Sequence, residues 1–420
     1  MTAPESESKM TSTKNELCQI KRIGVIGGGQ LAWMMADAAK KLGIELVIQT
    51  PNANDPAVAI ASYTVFAPVD DAIATATLAS KCDVITFENE FVDLEALSIL
   101  AEQGICFRPG LKVLAPLLDK YHQRCYLQQL GLPVPKFREL GKPELGELGE
   151  LGELGEKNPS PLTPHPSPLT PHPLPVVLKA RRHGYDGQGT SIIKDLDTLE
   201  QLAASTKQQG QPLFLLEEFV PFERELAVIA ARSITGEIVT YPIVETVQED
   251  QVCRRVIVPA DINCDVTNQI HAIAHTLLNS LQAVGVFGIE LFLTKDQVLV
   301  NEIAPRTHNS GHFTLDASVI SQFEMQLRAV CGLPLPLPTQ RSSGAVMVNL
   351  LGYEYSENDY LQQRKLIEQI PQAHLYWYGK TASRPGRKLG HVTVLLDSNN
   401  RLEALAIAQK IESIWYQKSG

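Results

Sequence analysis

Two strongly apolar segments joined by a short polar turn constrain the fold of this chain more than any other feature. They lie in residues 285–312, GVFGIELFLTKDQVLVNEIAPRTHNSGH, with the turn at Thr294–Gln297. Apolar runs joined in this way predict a β-hairpin. Each strand carries one acid, Glu290 and Glu302, and the midpoint between them, residue 296, lies inside the turn. The simplest register therefore places the two glutamates opposite each other on one face.

Two facing carboxylates require compensation, because the Cβ atoms of cross-strand partners are only about 5 Å apart and like charges there are destabilising. A hard divalent cation such as Mg²⁺, which takes oxygen ligands and often brings substrate phosphates with it, would supply that compensation. The alternative is an exposed hairpin end in water. The polar, basic run from Arg306 to His312, directly after the second strand, favours the metal site.

Composition limits the partners that this chain can have. Its 420 residues suffice for about two to four domains. The net charge of −10 gives no indication of a nucleic-acid or membrane partner, so an anionic substrate needs a local basic cluster. The seven cysteines are scattered and form no C-x-x-C pair. We therefore expect neither a disulfide framework nor structural zinc, and a cytoplasmic location.

The N-terminal part predicts an α/β domain that follows a disordered polar tail of residues 1–20. A short apolar strand, Arg22–Ile26, leads into the glycine-rich turn Gly27–Leu31, a helix and a second strand that ends at Gln49. This pattern is similar to a dinucleotide-binding βαβ unit, but no acid ends the second strand to hold a ribose. A helix N-terminus after glycines suits any phosphate or carboxylate, and a mere tight turn is the alternative.

A further strand in this region ends in acidic residues, Glu88-Asn89-Glu90. Ligands of open α/β sheets bind at the carboxyl ends of strands, so Glu90 is a candidate for binding a substrate. The alternative is an acid pair that begins the next helix.

Residues 141–174 interrupt the globular pattern. ELG repeats within Glu144–Glu156, and a proline-rich unit of seven residues repeats within Pro159–Pro173. So much proline excludes regular helix or sheet. We predict a disordered surface insertion without a catalytic role, and we expect its two histidines, His165 and His172, to be solvated rather than metal-bound.

Phosphate-binding features follow the insertion. A strand ends at Lys179 and leads into a loop rich in glycine, Gly184–Thr190. Backbone N–H groups beside a cation suit a polyphosphate, although the order of residues differs from a Walker A loop and a basic hairpin turn is the alternative. The next strand contains Glu217 and Glu218, whose backbone could pair with an adenine edge, and Glu225 could bind a ribose hydroxyl.

The C-terminal part, residues 340–420, predicts a small β-rich domain. Within it, four cations fall in the nine residues from Lys380 to Lys388 among proline and glycine. In a chain of net negative charge this concentration favours a rigid phosphate site, and a solvated basic hairpin is the alternative.

Several of these motifs together resemble one family. GVIGGGQL, TFENE, GYDGQG, EEFV, NEIAPRTHNSGH, SQFE and RPGRKLGH extend over nearly all of residues 21–395. The set resembles the ATP-grasp superfamily and, within it, the PurK-type 5-(carboxyamino)imidazole ribonucleotide synthases. The resemblance implies a mixed α/β and α+β fold: a Rossmann-like N-terminal domain (21–116), an ATP-grasp domain (117–335) and the C-terminal β-rich domain.

The resemblance also implies a reaction. ATP phosphorylates bicarbonate to carboxyphosphate, and the exocyclic amine of 5-aminoimidazole ribonucleotide captures the CO₂ that carboxyphosphate releases. Mg²⁺ would bridge the ATP phosphates. The family further implies a homodimer and a separate mutase that takes the product.

Residue roles follow from the family motifs. They assign catalysis to Arg306, His308 and Asn309, and the metal to Glu290 and Glu302. They assign ATP binding to Lys120, Lys179, Gly184, Tyr185, Asp186, Gly187, Gln188, Gly189, Thr190, Glu217, Glu218, Phe219, Val220, Glu225, Gln248, Asn301 and Glu302. They assign the ribonucleotide substrate to Gly29, Gln30, Leu31, Glu90, Tyr185, Asp186, Arg306, Lys380 and Arg387.

The chain departs from the family pattern at two of these positions. Gln188 replaces a cation of the glycine-rich loop, and Gln248 replaces a histidine. Three other functions fit the sequence less well. A formate-dependent glycinamide ribonucleotide transformylase is disfavoured by NSGH and RPGRKLGH, a regulatory protein without catalysis by the presence of both metal glutamates, and a dinucleotide oxidoreductase by the missing ribose acid.

Overall fold

A computed structural model describes residues 20–140, 174–182, 184, 189–208, 214–295 and 297–417. Most of the predicted N-terminal tail, the insertion from residue 141 to residue 173 and the loop residues Tyr185–Gln188 lie outside these described residues. None of the described helices is both long and apolar enough to cross a bilayer.

The N-terminal sheet is parallel and buried, as its runs of valine and isoleucine predict. Its strands are β1 (Arg22–Ile26), β2 (Glu45–Thr50), β3 (Tyr63–Phe66) and β4 (Val84–Phe87), in the order β3-β2-β1-β4. Around it lie α1 (Gln30–Trp33), α2 (Ala36–Leu42), a 3₁₀ turn (Pro56–Ile60), α3 (Ala72–Ala79), α4 (Leu94–Glu102) and α5 (Leu111–Leu114). The single helix predicted after the glycine-rich turn is therefore two helices, and the buried residues Met34 and Met35 lie at the break.

A small antiparallel sheet follows. Its strands are β5 (Phe137–Glu139), β6 (Val176–Ala180), β7 (Thr190–Ile193) and β8 (Phe214–Glu218), in the order β5-β8-β6-β7. Helix α6 (Lys120–Gln129) precedes this sheet, and α7 (Leu196–Gln208) lies between β7 and β8. Asp119 caps α6 by accepting hydrogen bonds from the backbone N–H groups of Tyr121 and His122.

The large sheet contains the hairpin. It comprises β9 (Arg224–Arg232), β10 (Ile238–Thr240), β11 (Val244–Glu249), β12 (Val252–Val258), β13 (Gly285–Leu293), β14 (Val298–Ala304), β15 (Gly344–Leu351), β16 (Ala373–Trp377) and β17 (Lys388–Leu396). The order is β14-β13-β9-β11-β12-β15-β17-β16, and β10 pairs with β9. The strands of the predicted C-terminal domain therefore extend the sheet that carries Glu290 and Glu302, because β15 pairs with β12.

Helices cover the large sheet. They are α8 (Cys264–Leu281), α9 (Thr314–Ala317), α10 (Gln322–Cys331), α11 (Leu361–Glu368) and α12 (Arg401–Trp415), with a 3₁₀ turn at Asn309–Gly311. Helix α8 is amphipathic and buries Ile270, Ile273 and Leu277 against β9, β13 and β14. This core supports the hairpin from behind, because Phe287, Ile289 and Val300 belong to the same cluster.

Candidate active site

The hairpin register places Glu290 of β13 opposite Glu302 of β14. Between Glu290 and Leu291 the register shifts by one residue, so that Leu291 pairs with Val300 and Asn301 is an extra residue of β14. This is a β-bulge, a feature that commonly lies beside active sites. The predicted facing pair of acids is present, and the bulge that produces it was not predicted.

The two carboxyl groups differ in electrostatic environment. Burial and the charge of Glu302 raise the pKa of Glu290 to about 7. Burial would also raise the pKa of Glu302, but the charges of Lys120, Lys179 and Arg124, Lys120 foremost, together lower that pKa. The Lys120 Nζ lies 2.7 Å from the Glu302 Oε2 atom. A proton on Glu290 and the ammonium of Lys120 beside Glu302 thus relieve the repulsion between the two carboxyl groups, as expected when like charges face each other.

Lys179 lies beside the bulge. Its Nζ donates to the Asn301 Oδ1 atom at 3.0 Å and is 2.7 Å from Glu217 Oε2. Burial lowers the pKa of Lys179, and the charge of Glu217 opposes that effect. Burial would raise the pKa of Glu217, yet Arg124 and Lys179 hold it at about 2. The structure therefore brings together three predicted site residues, Lys179, Glu217 and Asn301, and adds Arg124, which the sequence analysis did not select.

The glycine-rich loop begins and ends next to Lys179. Thr190 pairs with Lys179 across β6 and β7, and the Ala180 N–H donates to the Gly189 carbonyl oxygen at 2.6 Å. Gly189 has φ +80, and a Cβ there would lie 2.9 Å from the Cβ of Ala180, so glycine suits this position. Gly184, Gly189 and Thr190 are described; Tyr185, Asp186, Gly187 and Gln188 lie outside the described residues.

The predicted nucleotide edge lies where β8 leaves the small sheet for β9. Glu218 is half-buried and its carboxylate accepts from the Lys136 N–H, Phe219 is exposed and Val220 is buried. Burial raises the pKa of Glu225 to about 7, and Lys179 partly offsets this. Thr246 of β11 pairs with Glu225, so Gln248 lies two residues further along β11, at the end of that strand.

Arg306 and Glu90 form a two-pronged ion pair. The Arg306 Nε and Nη2 atoms donate to the Glu90 carboxylate at 2.6 and 3.1 Å. Burial would lower the pKa of Arg306, but the Glu90 carboxylate outweighs it and raises that pKa. Paired donation of this kind fixes the plane of the guanidinium. The pair joins the N-terminal sheet to the loop after the hairpin.

His308 lies over the hairpin beside the acids. Its Nε2 atom is 3.4 Å from Glu290 Oε1. A Cβ on Gly288 would lie 2.5 Å from the His308 Cβ, so the histidine fits only because residue 288 has no side chain. Gln322 fixes the His308 backbone, since its Oε1 accepts from the His308 N–H at 2.9 Å and its Nε2 donates to the His308 carbonyl at 2.7 Å.

Asn309 follows His308 in the 3₁₀ turn. The residue is buried, with 8% of its surface exposed. Within the described part of the chain, neither its Oδ1 nor its Nδ2 has a hydrogen-bond partner. A buried amide without partners loses free energy unless a ligand or water satisfies it. The residue therefore has both a donor and an acceptor to offer in the predicted catalytic loop.

A second cationic region lies where the N-terminal part of the chain meets its C-terminal part. The Lys380 Nζ donates to Gln30 Oε1 at 3.1 Å and to the Lys388 carbonyl oxygen at 2.9 Å. The guanidinium of Arg387 donates to the Ala382 carbonyl at 2.6 Å, and burial and the nearby charge of Arg384 lower its pKa. The structure thus brings the predicted residues Gln30 and Lys380 together.

Glu88 lies against the glycine-rich turn of the N-terminal domain. Its Oε1 accepts from the Leu31 N–H at 3.3 Å, and Cβ atoms on Gly27 or Gly29 would lie within 2.6 and 2.4 Å of its carboxylate. Burial raises the pKa of Glu88 to about 7, and Arg306 and Lys380 oppose that effect. The sequence places this acid at a strand end, but the family motifs assign a role in substrate binding only to Glu90.

The protein alone offers few ligands for a metal. Among the described residues, no group of three His, Cys, Asp or Glu side chains is placed to hold an ion. Mg²⁺ is commonly held by one or two carboxylates together with substrate phosphates and water. Glu290 and Glu302 form a hard oxygen pair of that kind, so the residues present fit a metal that binds with a nucleotide.

Comparisons with known proteins agree with this geometry. Three family profiles match consecutive parts of the chain: the ribonucleotide synthetase preATP-grasp domain over residues 20–115, the ATP-grasp domain over 169–323 and the phosphoribosylaminoimidazole carboxylase C-terminal domain over 345–405.

Relatives and solved structures give the same result. The chain is 51% identical to N5-carboxyaminoimidazole ribonucleotide synthase of Synechococcus elongatus, over 94% of this chain and 96% of that protein. It is 48% identical to the Synechocystis protein of the same name, over 95% of this chain and 99% of that protein. The Aspergillus clavatus N5-carboxyaminoimidazole synthase, solved with ADP and 5-aminoimidazole ribonucleotide, superposes with a TM-score of 0.79 at 30% identity, over 94% of this chain and 98% of that one.

Proposed function

Because the chain belongs to the N5-carboxyaminoimidazole ribonucleotide synthase family, we propose that bicarbonate is its carboxyl donor and that carboxyphosphate is the intermediate. The chain is an ATP-dependent ligase of purine biosynthesis that carboxylates 5-aminoimidazole ribonucleotide. One contact supports the proposal most: His308, in the loop of Arg306 and Asn309, lies 3.4 Å from the Glu290 carboxylate of the acidic pair. The phosphate end of ATP and the site of carboxyl transfer would therefore adjoin.

The nucleotide half of the proposal rests on charge. Phosphoryl transfer requires mainly positioning and neutralisation of the phosphate oxygens. Lys120, beside Glu302, and Lys179, beside Asn301, would supply cations, and the N–H groups of the Gly184–Thr190 loop would supply donors. The segment Glu217–Val220, with Glu225 and Gln248, would bind the base and ribose. Mg²⁺, held by Glu290 and Glu302, would neutralise the charge on the phosphate oxygens.

The reaction balances without a redox partner. A bicarbonate oxygen attacks the γ-phosphorus and ADP leaves, which gives carboxyphosphate. Carboxyphosphate breaks its C–O bond to give CO₂ and phosphate. The amine nitrogen of the ribonucleotide then forms the new C–N bond and loses one proton, which phosphate can accept. Arg306, His308 and Asn309 would orient the carboxyl group during these steps.

The substrate half rests on the second cationic region. Lys380 and Arg387 would bind the phosphate of the ribonucleotide, and the turn Gly29-Gln30-Leu31 would contact the same substrate. Glu90, Tyr185, Asp186 and Arg306 would contact its sugar and base. The Lys380–Gln30 hydrogen bond means that this site would need both the N-terminal domain and the extension of the large sheet. We further propose that the enzyme is a cytoplasmic homodimer whose product passes to a separate mutase.

One assay tests the proposed donor. ADP release is measured with bicarbonate and Mg²⁺, with and without 5-aminoimidazole ribonucleotide, and with ¹³C-bicarbonate to follow the label. We expect the ribonucleotide to stimulate ADP release and the label to enter the product. If formate with glycinamide ribonucleotide supports turnover instead, the chain acts as the related transformylase. Absence of stimulation by 5-aminoimidazole ribonucleotide refutes the proposal.

A further inference from the structure

The Lys179 ammonium belongs to a closed ring of hydrogen bonds with Glu217, Arg124 and Asn301. Lys179 contacts the carboxylate of Glu217 and the side chain of Asn301. Arg124 contacts the same two residues from the other side: its Nε donates to Glu217 Oε1 and its Nη2 donates to the Asn301 carbonyl oxygen, both at 2.5 Å. Each neighbour that holds Lys179 is therefore itself held by Arg124.

The ring is buried. The side chains of Arg124 and Glu217 are each 2% exposed, and that of Lys179 is 10% exposed. A buried ion pair is costly unless further hydrogen bonds satisfy its members, and removal of one partner leaves an uncompensated charge. Here the fork of the guanidinium supplies two such bonds in fixed directions, which a lysine at that position could not do.

Arg124 lies on helix α6. Lys120 and Arg124 are four residues apart and so lie on one face of the helix. Lys120 reaches Glu302 and Arg124 reaches Glu217, while Gln123 of the same helix accepts from the Ile303 N–H at 3.0 Å and donates to the Ile303 carbonyl at 3.2 Å. The helix is thus attached along β14 at the bulge.

We propose that Arg124 is a positioning residue for ATP binding. It does not contact the nucleotide. It fixes Glu217 and the Asn301 bulge, and through them it holds the Lys179 ammonium where the phosphates of ATP bind. The inference rests on the proposed role of Lys179 and extends it, since loss of Arg124 is expected to weaken the binding of ATP without touching the site of the ribonucleotide.

Arg124→Met tests this inference, with steady-state kinetics for both substrates and thermal melting. We expect the KM for ATP to rise by about tenfold or more, which corresponds to one charge-assisted hydrogen bond. The KM for 5-aminoimidazole ribonucleotide should stay within about twofold, because a positioning defect at Lys179 is local. A KM for ATP equal to that of the wild type overturns the inference.

Arg232→Met is the matched control. Arg232 is also a buried arginine of this chain, and its side chain binds Asn279, Gln282 and the Ala283 carbonyl at the end of α8. Its loss should lower the melting temperature and leave both KM values within about twofold. If this control raises the KM for ATP as much as Arg124→Met does, the effect reports general destabilisation and the inference fails.

Two more variants complete the design. Arg124→Lys keeps the charge but cannot reach both Glu217 and the Asn301 carbonyl, and it replaces the methionine variant if that one fails to fold. A rise of about threefold in the KM for ATP is expected, and a wild-type value overturns the inference. Lys179→Met distinguishes failure of the proposed role of Lys179 from failure of the positioning role of Arg124. If Lys179→Met leaves the KM for ATP unchanged, the proposed role of Lys179 is wrong. If the KM for ATP rises in Lys179→Met but not in the Arg124 variants, only the positioning role of Arg124 is refuted.

Discussion

Glu290 and Glu302 face each other because Asn301 is an extra residue in β14. Beyond the bulge the strands pair as Leu291 with Val300 and Leu293 with Val298. If that register continued without a bulge, Asn301 would lie opposite Glu290 and Glu302 would lie opposite Ile289. The extra residue thus restores the acidic pair and also directs the Asn301 side chain to Lys179. One local irregularity thus positions both the proposed metal ligands and the cation proposed to bind phosphate.

Glu302→Gln tests the metal assignment. The substitution keeps the shape of the side chain but removes the charge that would hold Mg²⁺ and that pairs with Lys120. We expect kcat to fall by at least about a hundredfold, since a charge that stabilises the transferring phosphoryl group contributes on that scale. The melting temperature should change little, because the residue is 38% exposed in its side chain and its loss removes repulsion from Glu290.

Glu45→Gln is a suitable control for the glutamate substitution. Glu45 lies on the N-terminal sheet and forms an exposed ion pair with Arg22 at 3.1 Å. Such pairs contribute little to stability, so both kcat and melting should resemble the wild type. Turnover that persists in Glu302→Gln at saturating Mg²⁺ contradicts the assignment of this residue as a metal ligand.

The raised pKa of Glu290 predicts proton release on nucleotide binding. In the ligand-free protein this group has a pKa of about 7, above its ordinary value, so it favours the folded state below its unfolded pKa and loses that contribution as the pH rises through 7. Mg²⁺ requires the ionised form. Binding of Mg·ADP at about pH 6.5 should therefore release protons, which calorimetry in buffers of different ionisation enthalpy measures.

Glu290→Gln should reduce the number of protons released. Glu225, whose pKa burial also raises to about 7, contributes separately and remains in the variant. Lys120, Glu302 and His308 also face Glu290, so the comparison between wild type and variant isolates the one group that was removed. Equal proton release by the two proteins would show that Glu290 is not the titrating ligand.

Lys380→Met should separate the two substrates. Lys380 lies at the junction with Gln30, far in sequence from the nucleotide residues. We expect the KM for 5-aminoimidazole ribonucleotide to rise by about tenfold or more, because a charge-assisted contact to phosphate is lost. The KM for ATP should stay unchanged. Lys365→Met, at an exposed position of α11, controls for loss of a surface lysine. If Lys380→Met raises only the KM for ATP, Lys380 belongs to the nucleotide site and the assignment is wrong.

Local patterns predicted the hairpin and the strand that carries Lys179, which ends one residue later than predicted, at Ala180, because each depends on residues close in sequence. The bulge was not predictable in this way. The midpoint estimate uses only the positions of the two glutamates, and within it the effect of the turn length and the effect of the extra residue cancel. The pairing of β15 with β12 was also missed. Apolar alternation identifies a strand but does not say which sheet edge it joins, so the extension of the large sheet by the C-terminal strands needed the structure.

Arg124 was missed for a related reason. It lies in a polar helix, KYHQRCYLQQ, where an arginine is ordinarily solvated. Its partners, Glu217 and Asn301, are 93 and 177 residues away along the chain. No local pattern marks such a residue. The signal that was available is its spacing of four from Lys120, which places two cations on one helical face.

Shortening the insertion tests the prediction that it has no catalytic role. Strands β5 and β6 lie on opposite sides of β8 and both pair antiparallel to it, Glu139 opposite Leu215 and Val176 opposite Glu218. The end of β5 and the start of β6 are thus about three residues apart along the strands and two strands apart across the sheet, or roughly 14 Å. A linker must cover that distance and pass around one face of the sheet, so about eight to ten flexible residues are the practical minimum.

We expect replacement of residues 142–172 by ten Gly/Ser residues, about the length that this path requires, to leave kcat and both KM values within about twofold. A shorter loop costs less entropy to close, so the melting temperature should stay equal or rise slightly. Direct joining of Leu140 to Pro175 is the control: the two residues left between Glu139 and Val176 extend over at most about 11 Å. They cannot cover the distance and should destabilise β5 or β6, which lowers affinity for ATP through Lys179 on β6. A selective rise in the KM for ATP with the ten-residue linker, at unchanged melting, would mean that the insertion contributes to the nucleotide site after all.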